Sequence, residues 1–187
     1  AVLKSKRKDL RVLAVGQFLG IFGQGILGGI TVLTDLNPIP VAGHLLLSII
    51  LIAGATSLYS RRYTPVVFVK PASLTSKISV VHVVTSFVVI ILGTIVTGSG
   101  PHAGDAQAKR FDFDIRTVAW LHADVVIFLL GVTFAFYVAT GTSSQNKKAI
   151  KIFAIIALAQ GGIGYVQYFT GIPEILVAAH LLGATLV

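Results

Sequence analysis

Five uninterrupted apolar runs constrain this chain more than any other feature. They cover about residues 12–34, 39–60, 79–98, 117–141 and 149–169, and a sixth, 174–187, begins in the same way and stops short. A hydrocarbon layer of roughly 30 Å is crossed by about 20 apolar residues in an α-helix, so each of the five is long enough to span. The runs are continuous rather than alternating, which predicts helices and not a barrel. Charged residues make up 12% of the chain, against about 25% in a soluble domain. Such a surface cannot be wetted. The expected fold class is all-α, a polytopic membrane protein whose first partner is the lipid bilayer. The basic start, AVLKSKRKDLR, resembles the head of a signal peptide, but the run behind it exceeds twenty residues and has no small-residue cleavage pattern. It reads as a transmembrane helix.

The net charge of +8 does not point to nucleic acid, because the basic residues fall in short clusters between the apolar runs. One set comprises Lys4, Lys6, Lys8, Arg7 and Arg11 at the start, Arg61, Arg62, Lys70 and Lys77 after the second run, and Lys147, Lys148 and Lys151 before the fifth. The other connections hold only Lys109, Arg110 and Arg116. Twelve against three predicts a cytoplasmic N-terminus in the cell membrane. The absence of cysteine excludes disulfides, thiolate metal sites and iron–sulfur clusters. Histidine remains as the strong ligand for a transition metal.

One stretch is said twice. QGILGGITVLTDLNPIPVAGHLL, from Gln24 to Leu46, aligns without gaps with QGGIGYVQYFTGIPEILVAAHLL, from Gln160 to Leu182, and 10 of the 23 positions are identical. Gln24/Gln160, Gly28/Gly164, Thr34/Thr170 and His44/His180 are among the matches. Each copy reads as an outgoing helix, a short turn and a returning helix that carries histidine. The copies share an orientation, so they are parallel repeats. An offset of 136 residues implies four helices per repeat. Residues 73–187 then form one four-helix bundle, with its last helix cut short, and residues 1–72 hold half of another. Two further helices, one with a histidine, are expected before residue 1, giving eight in all and two pseudo-symmetric bundles.

Three histidines fall at one depth. His44, His122 and His180 lie five or six residues into runs that enter from the outer side, roughly 8–9 Å below the boundary at 1.5 Å per residue. Two imidazoles from facing helices at one depth suit bis-histidine ligation of haem iron. A cross-helix hydrogen bond, a proton relay or a substrate counter-ion are the competing uses of such residues. Arg116, about a turn and a half above His122, stands where a haem propionate could be paired, and ordinary loop charge explains it as well. Gln24 and Gln160 read as cross-helix hydrogen-bond donors or ligand contacts. Gly25, Gly28, Gly29, Gly161, Gly162 and Gly164 permit close approach of a helix or of a flat macrocycle. Asp124 points away from His122, being two residues on, and its use is open between a proton and a hydrogen-bond role. His82 reads as a helix-end residue on the cytoplasmic side, and His102 as a loop residue.

QGILGGITVLTDLNPIPVAGHLLLS, GTIVTGSGPHAGD, VAWLHAD and QGGIGYVQYFTGIPEILVAAHLLGA, in this order and spread over nearly the whole chain, resemble haem A synthase of the actinobacterial kind. The resemblance implies an eight-helix membrane oxidoreductase of two four-helix halves, with the present six helices matching the third to the eighth. It implies oxidation of the methyl group at carbon eight of haem O to the formyl group of haem A, through two hydroxylations and loss of water from a geminal diol. Haem b would sit in the C-terminal bundle between His122 and His180. Substrate haem O would be handled in the N-terminal bundle, where His44 would act. The remaining partners would be haem O synthase and the assembly of a terminal oxidase. The first two helices of the family carry the partner of His44 and an outer-side glutamate, so a piece without them is expected to bind haem b without turning over. A b-type cytochrome that only passes electrons, and a transporter with parallel repeats, are the readings this one competes with.

Overall fold

Helix ends are written in the turns between the apolar runs. A computed structural model describes residues 7–63, 73–101, 107–141 and 144–187. The element order is α1 (Lys8–Leu33), α2 (Pro38–Arg61), α3 (Ser73–Ser99), α4 (Ile115–Ala139), α5 (Ser144–Phe169) and α6 (Glu174–Ala184). No strand occurs among the described residues. Five helices are long and apolar enough to cross a membrane, and α6, at 11 residues, is shorter. Pro38 opens α2, where its missing N–H costs nothing, and Asn37 caps the helix by accepting from the Ile39 N–H at 3.1 Å. Asp114 caps α4 in the same way, accepting from the Thr117 N–H at 2.9 Å and from its hydroxyl at 2.6 Å.

The helices begin earlier than hydropathy suggests. α3 starts at Ser73 and α5 at Ser144, because SLTSK and SQNKK are polar yet helical first turns. One consequence is a correction. His82 is not at a helix end: it stands nine residues after Ser73, about 13 Å along the axis, inside the span.

The chain divides into two compact units, 1–69 with 107–110, and 70–106 with 111–187. In the first, α1 and α2 form an antiparallel hairpin. Arg7 ties its open end, donating to the Arg61 carbonyl at 2.7 Å while it pairs with Asp9 at 2.8 Å. A guanidinium on the last carbonyls of α2 also opposes the negative end of that helix. In the second unit α3 packs along α4, α4 along α5, and α5 along α6. Very little of either unit is buried: Leu129 and Thr133 at 2% exposure are the extremes, and α1 has no buried residue. Phe18, Phe22, Phe128 and Phe134 point outward, a surface that acyl chains solvate and water does not.

The two repeated turns share their closing bonds. Asp35 and Leu36 have φ of 52° and 57°, and their counterparts Gly171 and Ile172 have 78° and 59°. Leu36 N–H donates to the Thr31 carbonyl at 2.9 Å, as Ile172 N–H does to Gln167 at 2.8 Å. Thr34 and Thr170 each return a hydroxyl to the carbonyl four residues back, both at 2.7 Å. These are the bonds that close a helix through left-handed residues. Two stretches with 13 differing side chains out of 23 therefore make one backbone.

Candidate functional site

The histidines repeat a position within a hairpin. His44 lies six residues after the start of α2, His122 seven after the start of α4, and His180 six after the start of α6. Each ring lies against a glycine of the preceding helix. A Cβ on Gly28 would stand 3.5 Å from Cε1 of His44, one on Gly93 3.4 Å from Cε1 of His122, and one on Gly164 3.5 Å from Cε1 of His180. The Nδ1 distances are 3.9, 3.9 and 4.0 Å. Three hairpins thus seat three imidazoles in one way.

The glycine also uncovers the main chain below it. The Val89 carbonyl faces the His122 ring and the Gln160 carbonyl faces the His180 ring; each belongs to the residue four before the glycine. Neither contact has hydrogen-bond geometry to Nδ1, which is buried without a partner in His44, His122 and His180 alike. A buried ring nitrogen without a partner costs free energy.

In the second unit two of these rings meet. His122 on α4 and His180 on α6 have ring centroids 6.5 Å apart and planes inclined by 76°. No family profile, curated protein or solved structure matches the chain. What the site can do therefore rests on its own geometry and on the resemblance noted above.

His44, in the first unit, is fixed from outside its ring. Gln24 donates from Nε2 to the His44 carbonyl at 3.1 Å and to the Ser48 hydroxyl at 2.5 Å. Gln160 does not copy these bonds: its amide lies across Gly183 of α6, in the space a Cβ there would take. Glycine at 183, where the first copy has Leu47, lets the amide pass. Oε1 of both glutamines is buried without a partner. Around Gly25, Gly29, Gly161 and Gly162 nothing lies within 4 Å of a Cβ position, so these four do not serve close helix packing among the described residues.

Arg116 is exposed at the head of α4 and lines a shallow hollow of about 480 Å³ with Thr117, Trp120, Leu121 and Asp124. His122 is not part of that lining. The indole of Trp120 donates to the Tyr168 hydroxyl at 3.3 Å. His82 bonds across the unit, with Nε2 3.0 Å from Oγ1 of Thr133, and its ring stacks edge-on to Phe153 at 4.5 Å. It is a packing histidine, far from the His122–His180 pair in register. His102 lies outside the described residues.

Gly93 is the residue that sequence reading missed. A signal for it existed in the distance from the turn. Gly28, Gly93 and Gly164 lie five, six and five residues before the ends of their helices. The gapless repeat hid this, because 29 residues separate Gly93 from His122 and 16 separate the other two pairs.

Proposed function

We propose that this chain is part of a haem A synthase, a membrane enzyme that oxidises the methyl group at carbon eight of haem O to a formyl group, and that His122 and His180 hold its haem b. The resemblance carries the reaction, and the observation that supports the haem is the 6.5 Å between the two ring centroids. Two metal–nitrogen bonds of about 2 Å, with about 1 Å from each nitrogen to its ring centre, would allow two imidazoles that share one iron to lie roughly 6 Å apart. Among the described residues no three histidine or carboxylate side chains gather into a metal site of their own. Haem iron asks for only two from the protein, because the macrocycle supplies the rest.

Bound haem b supplies one-electron chemistry within the lipid. The chain's own residues hold and insulate it. Burial of Nδ1 on the glycine side leaves Nε2 as the nitrogen free to ligate, and the two rings come from α4 and α6 with centroids 6.5 Å apart. Apolar outward faces keep water from the site. His44 takes the corresponding place in the other unit, with the same glycine seat, and there substrate haem O would be handled. The basic connections support a cytoplasmic N-terminus in the cell membrane; haem O synthase and a terminal oxidase are the partners that follow from the reaction.

The test is expression of the complete protein together with a haem O synthase in a bacterium that makes no haem A. Extracted haems are weighed by mass spectrometry. Hydroxymethyl and formyl products are the expected result. Haem O alone, beside an intact bis-histidine spectrum, would turn the reading to a b-type cytochrome, and no haem spectrum at all would remove both.

A further inference from the structure

We infer that Gly93 and Gly164 are positioning residues for the two imidazoles, setting the tilt of each ring about its ligating direction; the inference rests on the haem b reading above. Three hairpins place glycine under histidine with Cε1 and Nδ1 distances that agree within 0.1 Å. A coincidence of packing would not repeat so closely across three helix pairs, one of which lies outside the sequence repeat. Removing the side chain achieves two things at once. It lets the Cε1–Nδ1 edge of the ring approach the neighbouring helix, and it leaves the carbonyl four residues back, Val89 or Gln160, near the ring. A partner on the non-ligating nitrogen fixes the tautomer and orientation of a metal-bound histidine and raises its basicity.

A methyl group at either position would sit in van der Waals contact with Cε1, at 3.4 or 3.5 Å, and would screen the carbonyl without evicting the ring. A branched side chain would take the ring's place. Gly131 supplies the control. It is also on α4, nine residues after His122 and so about 180° round the helix, and nothing lies within 4 Å of its Cβ position.

The experiment loads the purified full-length protein with haem b in detergent and records the optical spectrum, the low-spin ferric electron paramagnetic resonance signal and the midpoint potential. That resonance is sensitive to the angle between the two ring planes, and planes near perpendicular, as the 76° here, give a large maximal g value. Gly93→Ala and Gly164→Ala are expected to bind haem at the wild-type level while the maximal g value changes and the potential rises. The rise follows from weaker donation by imidazoles whose Nδ1–H, unpartnered here, can no longer close on the nearby carbonyl once the ring ligates. Gly93→Val and Gly164→Val should lose the low-spin spectrum with both histidines still in place, and Gly131→Val should change nothing. Should the valine variants fail to fold, the alanine pair decides alone. Alanine variants with wild-type resonance and potential, or a Gly131→Val protein showing the same changes, would overturn the inference and leave haem binding intact. A wild-type protein without a bis-histidine spectrum would overturn the reading beneath it, and the inference with it.

Discussion

Gln24 reaches from α1 to the main chain of His44 on α2, its Nε2 3.1 Å from that residue's carbonyl oxygen. The bond holds the histidine's backbone rather than its ring, and the same amide donates to Ser48, whose hydroxyl donates in turn to the His44 carbonyl at 2.9 Å. Cross-helix bonds in membrane proteins average about 0.6 kcal/mol and reach about 1.7 kcal/mol. Gln24→Leu removes both donations but also the unpartnered Oε1, and Ser48 still serves the carbonyl. A loss of about 1 kcal/mol or less is expected, read as a lower unfolding midpoint in detergent. A loss several times larger would mean that the amide does more than clamp the hairpin.

The pairing of His122 with His180 predicts an unequal response to removing each histidine. If the proposed haem is held there, His122→Ala or His180→Ala should abolish its low-spin spectrum, since either change would leave one imidazole for the iron. His44→Ala should leave that spectrum largely intact and remove turnover in the complete protein, because His44 belongs to the other unit. Loss of the spectrum only with His44→Ala would mean that the roles of the two units are exchanged.

Much of this was legible before any coordinates. The five apolar helices follow from continuous apolar runs, and the presence of two like turns follows from the repeat; the left-handed pairs at Asp35–Leu36 and Gly171–Ile172 come from the structure alone. What escaped notice has one physical cause. Hydropathy reports where a helix is greasy, not where its hydrogen bonds begin. The polar turns at Ser73–Lys77 therefore shortened α3 on paper, and His82 was misplaced at its end. Gly93 was hidden because the 100–114 connection is longer than the 34–37 turn, so the third glycine–histidine pair falls out of register with the other two.

The His82–Thr133 bond can be tested as structure separate from the His122–His180 pair. Thr133 is 2% exposed and its hydroxyl donates to the Leu129 carbonyl at 2.7 Å. It is therefore left to accept from Nε2–H of His82. Thr133→Val keeps the shape, removes the acceptor and strands a ring N–H, at a cost of about 1–2 kcal/mol. Thermal unfolding in detergent should show that loss with the haem spectrum unchanged. A spectrum that shifts would tie His82 to the haem after all.

Asp114 carries a pH dependence at a helix end outside the lipid. The hydroxyl of Thr117, then its N–H, hold the carboxyl of Asp114 below the usual aspartate range. A folded value lower than the unfolded one, which is about 3.9, stabilises the protein above that unfolded value. The contribution fades as pH falls through the folded value, because the protonated group no longer accepts both bonds. Asp114→Ala should therefore lower the unfolding midpoint at pH 7 and lower it less as the pH approaches 3. Asp114→Asn, which keeps an accepting oxygen at the cap, should lie between the two at pH 7 and lose its difference from wild type in acid. An equal effect of Asp114→Ala at both pH values would show that the cap acts through its shape and not through its charge.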